Sequence, residues 1–270
     1  MTAVRVDESG PAIDRGDVFL AVEPILVMRD LSVRFGALRA VEGVSFDVVP
    51  GRITSIIGPN GAGKSTLFNL ISGALRPDSG RVHLAGHDVT GKSPNLLLAA
   101  GLARSFQITN LFFELSVFEN LRLAAQRLEP GWRSLLPAKA SRAALQRTEE
   151  LIERFELGAG AADPAGSLSH GQQRRLEIAV AVATRPRLLL LDEPTQGMSH
   201  GDTVETSALI SSLAGELTLL LIEHDVDLVM NLSDRVMVMH QGMKLAEGTP
   251  AEVRANADVQ AAYFGEVDGA

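Results

Sequence analysis

Ile53-Thr54-Ser55-Ile56-Ile57 runs directly into Gly58-Pro59-Asn60-Gly61-Ala62-Gly63-Lys64-Ser65-Thr66, and the junction decides the fold. The first five residues read as a buried strand. The next nine match G-x-x-x-x-G-K-[ST], and Leu67, Leu70 and Ile71 then recur at helical spacing, so a helix opens near Lys64. A glycine-rich loop between a strand and a helix lets backbone N–H groups turn inward around phosphate oxygens, and the helix N-terminus adds a favourable dipole. On this reading Gly58, Asn60, Gly61, Ala62, Gly63, Lys64, Ser65 and Thr66 cradle a nucleoside triphosphate. Lys64 reaches the β- and γ-phosphates, and the Ser65 hydroxyl ligates Mg²⁺.

By itself this loop says P-loop NTPase. Further along, Leu188-Leu189-Leu190-Leu191 ends in Asp192-Glu193. A buried central strand places both carboxylates at its C-terminal edge, where open α/β sheets bind ligands. Asp192 suits Mg²⁺, directly or through water, and Glu193 suits a general base for the attacking water. Around these two landmarks, Leu31, Val33 and Phe35 alternate with polar residues, as do Val44, Phe46 and Val48, so the first part reads as β. Pro50-Gly51 and Pro77-Asp78-Ser79-Gly80 read as turns, the second leading to a strand over 81–85. Residues 96–102, 117–128 and 140–155 have helical spacing, and the linker 158–166 closes that block. After Leu168 helices alternate with strands at 188–191 and 217–222, which implies a mostly parallel sheet. Near the C-terminus Thr249, Pro250 and Glu252 form a helix start.

The chain has 270 residues, 46% of them hydrophobic, enough for one large α/β domain or one domain with an inserted subdomain. A formal charge of -8 argues against a nucleic-acid partner. With no cysteine there is no disulfide, thiolate ligand or thiol nucleophile. No apolar run reaches the length of a membrane span, and residues 1–10 lack the basic and apolar regions of a signal peptide, so the opening residues are expected to be loosely ordered.

Leu168-Ser169-His170-Gly171-Gln172-Gln173-Arg174-Arg175 resembles the signature motif of ABC ATPases, usually LSGGQ, with His170 in place of the first glycine. Together with the phosphate loop and Leu188–Glu193 in the family's order, the resemblance covers about residues 24–265. It implies an α/β P-loop NTPase fold of ABC type: a mostly parallel core sheet, an N-terminal antiparallel β subdomain and an inserted α-helical subdomain at about 93–167. A flexible extension over 1–23 and a tail over 266–270 flank it. In the family Ser169, Gly171 and Gln172 would bind the γ-phosphate held by another subunit's phosphate loop, implying a head-to-tail dimer around two ATP molecules. Phe35 falls where an aromatic ring stacks on adenine, although a strand phenylalanine can equally belong to the core. Gln107 resembles the glutamine that senses Mg²⁺ and water, and His224 the switch histidine at the γ-phosphate. Gly197-Met198-Ser199 lacks the aspartate that many members carry there.

Leu111-Phe112-Phe113, with Val117-Phe118, either fills the helical subdomain's own core or forms part of the groove that in this family receives a short helix of a membrane subunit. Ala103-Arg104-Ser105-Phe106-Gln107, the signature through Ala179, Ile222-Glu223-His224-Asp225 and the tail from Ala246 to Glu266 resemble the ATPases of branched-chain amino acid importers, a pattern shared with urea and amide importers. That implies two membrane permease subunits, a second ATPase subunit that is paralogous or identical, an indirect periplasmic solute-binding protein, and a peripheral place on the cytoplasmic face of the plasma membrane. Competing readings are the ATPase of another bacterial system such as lipopolysaccharide extraction, a non-transport ABC ATPase, and a nucleotide-binding regulator without catalysis.

Overall fold

The computed structural model describes residues 22–105, 111–128 and 141–264. An antiparallel sheet is built from β1 (Leu26–Phe35), β2 (Leu38–Val48), β4 (Ser79–Leu84) and β5 (His87–Asp88), in the order β2-β1-β4-β5. The larger sheet has the order β10-β9-β3-β8-β7-β6. Its strands are β3 (Ile53–Ile57), β6 (Leu102–Arg104), β7 (Leu188–Asp192), β8 (Thr218–Ile222), β9 (Arg235–His240) and β10 (Met243–Gly248), all parallel except the β9–β10 hairpin.

The parallel strands β3, β7 and β8 are buried along their whole length. This is why they read as continuous apolar runs rather than alternating ones. The first core cluster joins the antiparallel sheet and α1 (Lys64–Ile71) to one face of the parallel sheet. The second packs α3 (Val117–Ala125), α4 (Arg142–Arg154), α5 (His170–Val182) and α6 (His200–Leu213) around its other face. Each fully buried Leu or Ile contributes about 1.5–3 kcal/mol relative to exposure.

Parallel pairing puts the C-terminal ends of β3, β6, β7 and β8 on one edge. The register Asp192↔Ile222 sets the acidic pair beside the segment entering His224. The short helices α2 (Pro94–Ala99), α7 (Val226–Leu232), α8 (Pro250–Ala255) and α9 (Ala257–Phe264) complete the element order. Thr249 and Glu252 form a complete capping box on α8, with Pro250 in the first turn.

Two details correct the sequence reading. Helical spacing over 96–102 ends early: α2 stops at Ala99, and Leu102 lies in β6, because pairing with Leu188 in the buried sheet outweighs local periodicity. The turn at 77–80 is shorter than expected. Ser79 already pairs with Ser32, and the irregularity is absorbed by Gly80 at φ 91, where a Cβ would lie 2.5 Å from the Asp30 carbonyl.

Candidate functional site

The phosphate loop follows β3 into α1. Gly63, in the left-handed region, stands immediately before that helix. A cleft of about 570 Å³ lies over it, lined by Asn60 to Thr66 together with Leu38, Ala40, Glu193, His224, Gln241 and Gly242. The loop is braced from outside: Gly242 N–H donates to the Ala62 carbonyl at 3.0 Å, and Glu42 N–H donates to the Gly242 carbonyl. The backbone of Gly58 hydrogen-bonds to the phenol of Tyr263, whose pKa burial pushes up to about 12. Lys64 Nζ donates to the carbonyls of Gly58 (2.7 Å) and Pro59 (3.1 Å). Burial lowers the pKa of this ammonium, while the Glu193 and Asp192 carboxylates act to raise it.

Asp192 ends β7 and is almost wholly buried. Its Oδ2 accepts from Arg104 at 2.9 Å, and among the described residues its Oδ1 has no hydrogen-bond partner. Burial raises its pKa, opposed chiefly by Arg104. Glu193 adopts a left-handed backbone at φ 46, an uncommon conformation for a residue with a side chain, and its N–H donates to the Ile222 carbonyl. Its Oε1 contacts His224 Nε2, and its buried Oε2 has no partner among the described residues. Each carboxylate therefore has one oxygen held and one available. The donor set fits Mg²⁺. Ser65 lines the phosphate-loop cleft with Glu193, the neighbour of Asp192, and among the described residues no three His, Cys, Asp or Glu cluster into a cage. Mg²⁺ commonly takes one or two carboxylates and completes its shell with phosphate and water.

Glu223 is a buried carboxylate that sequence reading did not single out. Its Oε1 accepts from Thr195 N (3.0 Å) and Thr195 Oγ1 (2.8 Å), and its Oε2 from His224 N (3.2 Å). It thus straps the turn after the acidic pair to the segment carrying His224. Burial raises its pKa against those hydrogen bonds. Arg174, on α5, donates to the backbone carbonyls of Pro194 (3.0 Å) and Asp192 (3.2 Å), so the signature helix grips the strand end that carries the carboxylates. Neither residue has a sequence signal beyond its neighbourhood of a motif, because each acts on backbone distant along the chain.

Ser169 caps α5 in a capping box with Gln172: its Oγ accepts from Gln172 N, and its own N–H donates to Gln172 Oε1. Because the hydroxyl accepts inside the box, its proton remains available to an outside anion. Ser169 and Gln172 are exposed, and neither they nor Gly171 line the phosphate-loop cleft. Gly171 is closely packed: a Cβ there would meet Asp202 Oδ1 at 2.7 Å. Ser199, in the loop after the acidic pair, caps α6, accepting from Asp202 N–H and donating to Asp202 Oδ2 at 2.7 Å. Phe35 ends β1 opposite Leu38 and is 51% exposed, because the hairpin tip leaves the core that buries Leu31 and Val33. Gln107 lies outside the described residues.

A second, mostly apolar cavity of about 270 Å³ opens beside β6, lined among others by Ser72, Leu98, Arg104, Ala124, Val180 and Ala181. Leu111 and Val117 belong to the core, whereas Phe112 (60%) and Phe113 (41%) are exposed. The open phenylalanines therefore do not fill the subdomain's own core.

A phosphate loop, and an acidic pair with a histidine against it, on one sheet edge, with a capped helix carrying the signature residues on another surface, fit an ATP-hydrolysing cassette. The sequence profile described as ABC transporter matches residues 41–196, and that described as Branched-chain amino acid ATP-binding cassette transporter matches residues 243–269. The chain is 43% identical over 251 residues to the high-affinity branched-chain amino acid transport ATP-binding protein BraF of Pseudomonas aeruginosa, covering 90% of this chain and 98% of that one. It is 42% identical to LivG of Escherichia coli, described in the same words, over 90% of this chain and 99% of that one. A crystal structure of a nucleotide-free ATP-binding cassette from an ABC transporter superposes with a TM-score of 0.79 at 33% identity, covering 90% of this chain and 100% of that chain. The chain belongs to the ABC transporter family and is one of its ATP-hydrolysing subunits. Among the described residues no helix is long and apolar enough to cross a membrane.

Proposed function

We propose that this chain is the ATPase subunit of an importer for branched-chain amino acids or related small solutes such as amides and urea. It would work with two membrane permeases, a second ATPase chain and, indirectly, a periplasmic solute-binding protein, at the cytoplasmic face of the membrane. The names of the relatives and the match over residues 243–269 support the solute class. The observation that carries the mechanism is the split site: the cleft holds Lys64, Glu193 and His224, whereas Ser169 and Gln172, which flank Gly171, lie exposed elsewhere. A second chain that presents its signature helix to this cleft completes a pocket neither chain has alone.

In this reading the Gly58–Thr66 loop binds the phosphates through backbone N–H groups and Lys64, and Phe35 stacks on adenine. Ser65 and Asp192 would hold Mg²⁺, the resemblance adding Gln107 to that set, and a bound ion would neutralise charge on the phosphates. Glu193 takes the proton of the attacking water through its unpartnered Oε2, while His224 holds Oε1 and turns toward the γ-phosphate. Only ATP offers a γ-phosphate to both chains, so it binds the closed dimer better than ADP does. That differential affinity is what can drive a two-state machine. The groove beside β6 and the exposed Phe112 and Phe113 would receive a short helix of the permease.

Phosphate release with malachite green tests the catalytic assignment. Glu193→Gln should abolish turnover and, with ATP and Mg²⁺, run as a dimer on size exclusion. Turnover at the unsubstituted rate would remove Glu193 as the base. Uptake of labelled leucine against urea in the assembled complex tests the solute.

A further inference from the structure

Arg104 is the last residue of β6, and its guanidinium is held by two other elements at once, β7 and α1. One nitrogen donates to Asp192 Oδ2 at 2.9 Å. The other donates to Asn69 Oδ1 at 2.7 Å and to Ser72 Oγ at 2.8 Å, both at the C-terminal end of α1. The guanidinium carbon stands 5.2 Å from the centroid of the Phe68 ring. The side chain is nearly buried, at 11% exposure, yet it borders the groove formed by Leu98, Ala124, Val180 and Ala181.

We propose that Arg104 is a positioning residue for Asp192, and that through it packing in the groove bears on the Mg²⁺ site. This rests on the reading of Asp192 as a metal-facing carboxylate. A carboxylate buried this deeply is costly to keep charged without a partner. Arg104 supplies that partner on Oδ2 and so leaves Oδ1, which has no hydrogen bond among the described residues, as the oxygen for the ion. The planar fork matters, because a lysine offers a charge without simultaneous aimed bonds to β7 and α1. The same flat cation forms part of the groove wall. A side chain that fills the groove presses on the guanidinium, and the guanidinium cannot shift without moving Asp192 relative to α1.

The test uses the full chain in the Glu193→Gln background, so that nothing is hydrolysed, and reads binding of mant-ATP by fluorescence as Mg²⁺ is titrated, with EDTA as the metal-free reference. Arg104→Gln should raise the Mg²⁺ concentration at half-effect at least tenfold while leaving affinity in EDTA within threefold. Arg104→Lys should fall between, and it serves if the glutamine variant does not fold. Equal losses with and without Mg²⁺, or an unchanged Mg²⁺ midpoint in the lysine variant, overturn the positioning role. Ala124→Phe, which narrows the groove, should shift the Mg²⁺ midpoint at least threefold with Arg104 present and not in the Arg104→Lys background. The same shift in both backgrounds, or none in either, overturns the link to the groove. No permease enters the assay, so these outcomes stand apart from the identity of what the groove receives. Failure of the ATPase reading shows separately, as mant-ATP binding lost on Lys64→Ala in neither condition.

Discussion

Two glycines of the phosphate loop provide a matched pair for asking what the loop's geometry costs. Gly61 (φ 79) and Gly63 (φ 96) both occupy backbone that side chains rarely adopt, but none of the described residues comes within 4 Å of a Cβ built on Gly61. A Cβ on Gly63 would lie 2.3 Å from the Ala40 carbonyl oxygen and 3.3 Å from Met239 Cε. Gly61→Ala therefore carries only the conformational cost, about 1–2 kcal/mol. Gly63→Ala carries that cost and an overpacking cost of about 1–3 kcal/mol, because the obstacle is backbone of β2 that cannot rotate away. The sum is about 2–5 kcal/mol for Gly63→Ala. Urea unfolding followed by circular dichroism, without nucleotide, measures the difference directly. Relief of the clash must move either the loop or β2, so mant-ATP affinity should also fall at least tenfold in Gly63→Ala. If the two variants unfold within about 0.5 kcal/mol of each other, the packing argument for the loop is wrong.

Other expectations can be checked with the same protein. Burial raises the Glu223 pKa from its ordinary value near 4.5, in a setting faced by Thr195, His224 and the Glu193 carboxylate. A raised folded pKa means a stability contribution fully present below that ordinary value and lost as pH rises through the folded one. Urea midpoints of Glu223→Gln relative to the unsubstituted chain should therefore improve from pH 5 to pH 8, and a pH-independent gap would contradict this. Gly171→Ala should cost about 1 kcal/mol, because Asp202 must give up its bond to Ser199; in an Asp202→Ala background, which has no such bond to lose, the same substitution should cost little in thermal unfolding. Phe112→Ala with Phe113→Ala should change the stability of the isolated chain by less than about 1 kcal/mol, since both rings are exposed. The pair should lower transport in the assembled complex while phosphate release by the isolated chain continues, as paired uptake and malachite-green assays would show.

The chemistry-bearing motifs were legible in the linear text because each combines a local backbone requirement with a side chain of one type. Gly58 to Thr66 must leave a strand, turn and enter a helix, and the structure builds that sequence of elements. Leu188–Asp192 is buried on both faces, and its unbroken leucines announced it. Thr249, Pro250 and Glu252 declared a helix start that is present atom for atom. Phe35 shows the limit of pattern: its alternation with Leu31 and Val33 continues in sequence, yet it is exposed, because periodicity does not record where a hairpin leaves the core. Leu102 shows another, where a three-residue strand hidden in a helix-rich stretch is specified only by its partner Leu188.

The amino-acid sequence alone determined the class of chemistry: a phosphate-loop motif between strand and helix, an acidic pair at a strand end and a signature helix start, each encoded within a few adjacent residues. Tertiary structure decided which groups restrain which. Arg104 reaches Asp192 across 88 positions and Glu223 reaches Thr195 across 28, and Tyr263 closes on Gly58 from the far end of the chain. Contacts of that kind depend on sheet order and register, which juxtapose chain segments whose separation in sequence carries no sign that they will meet.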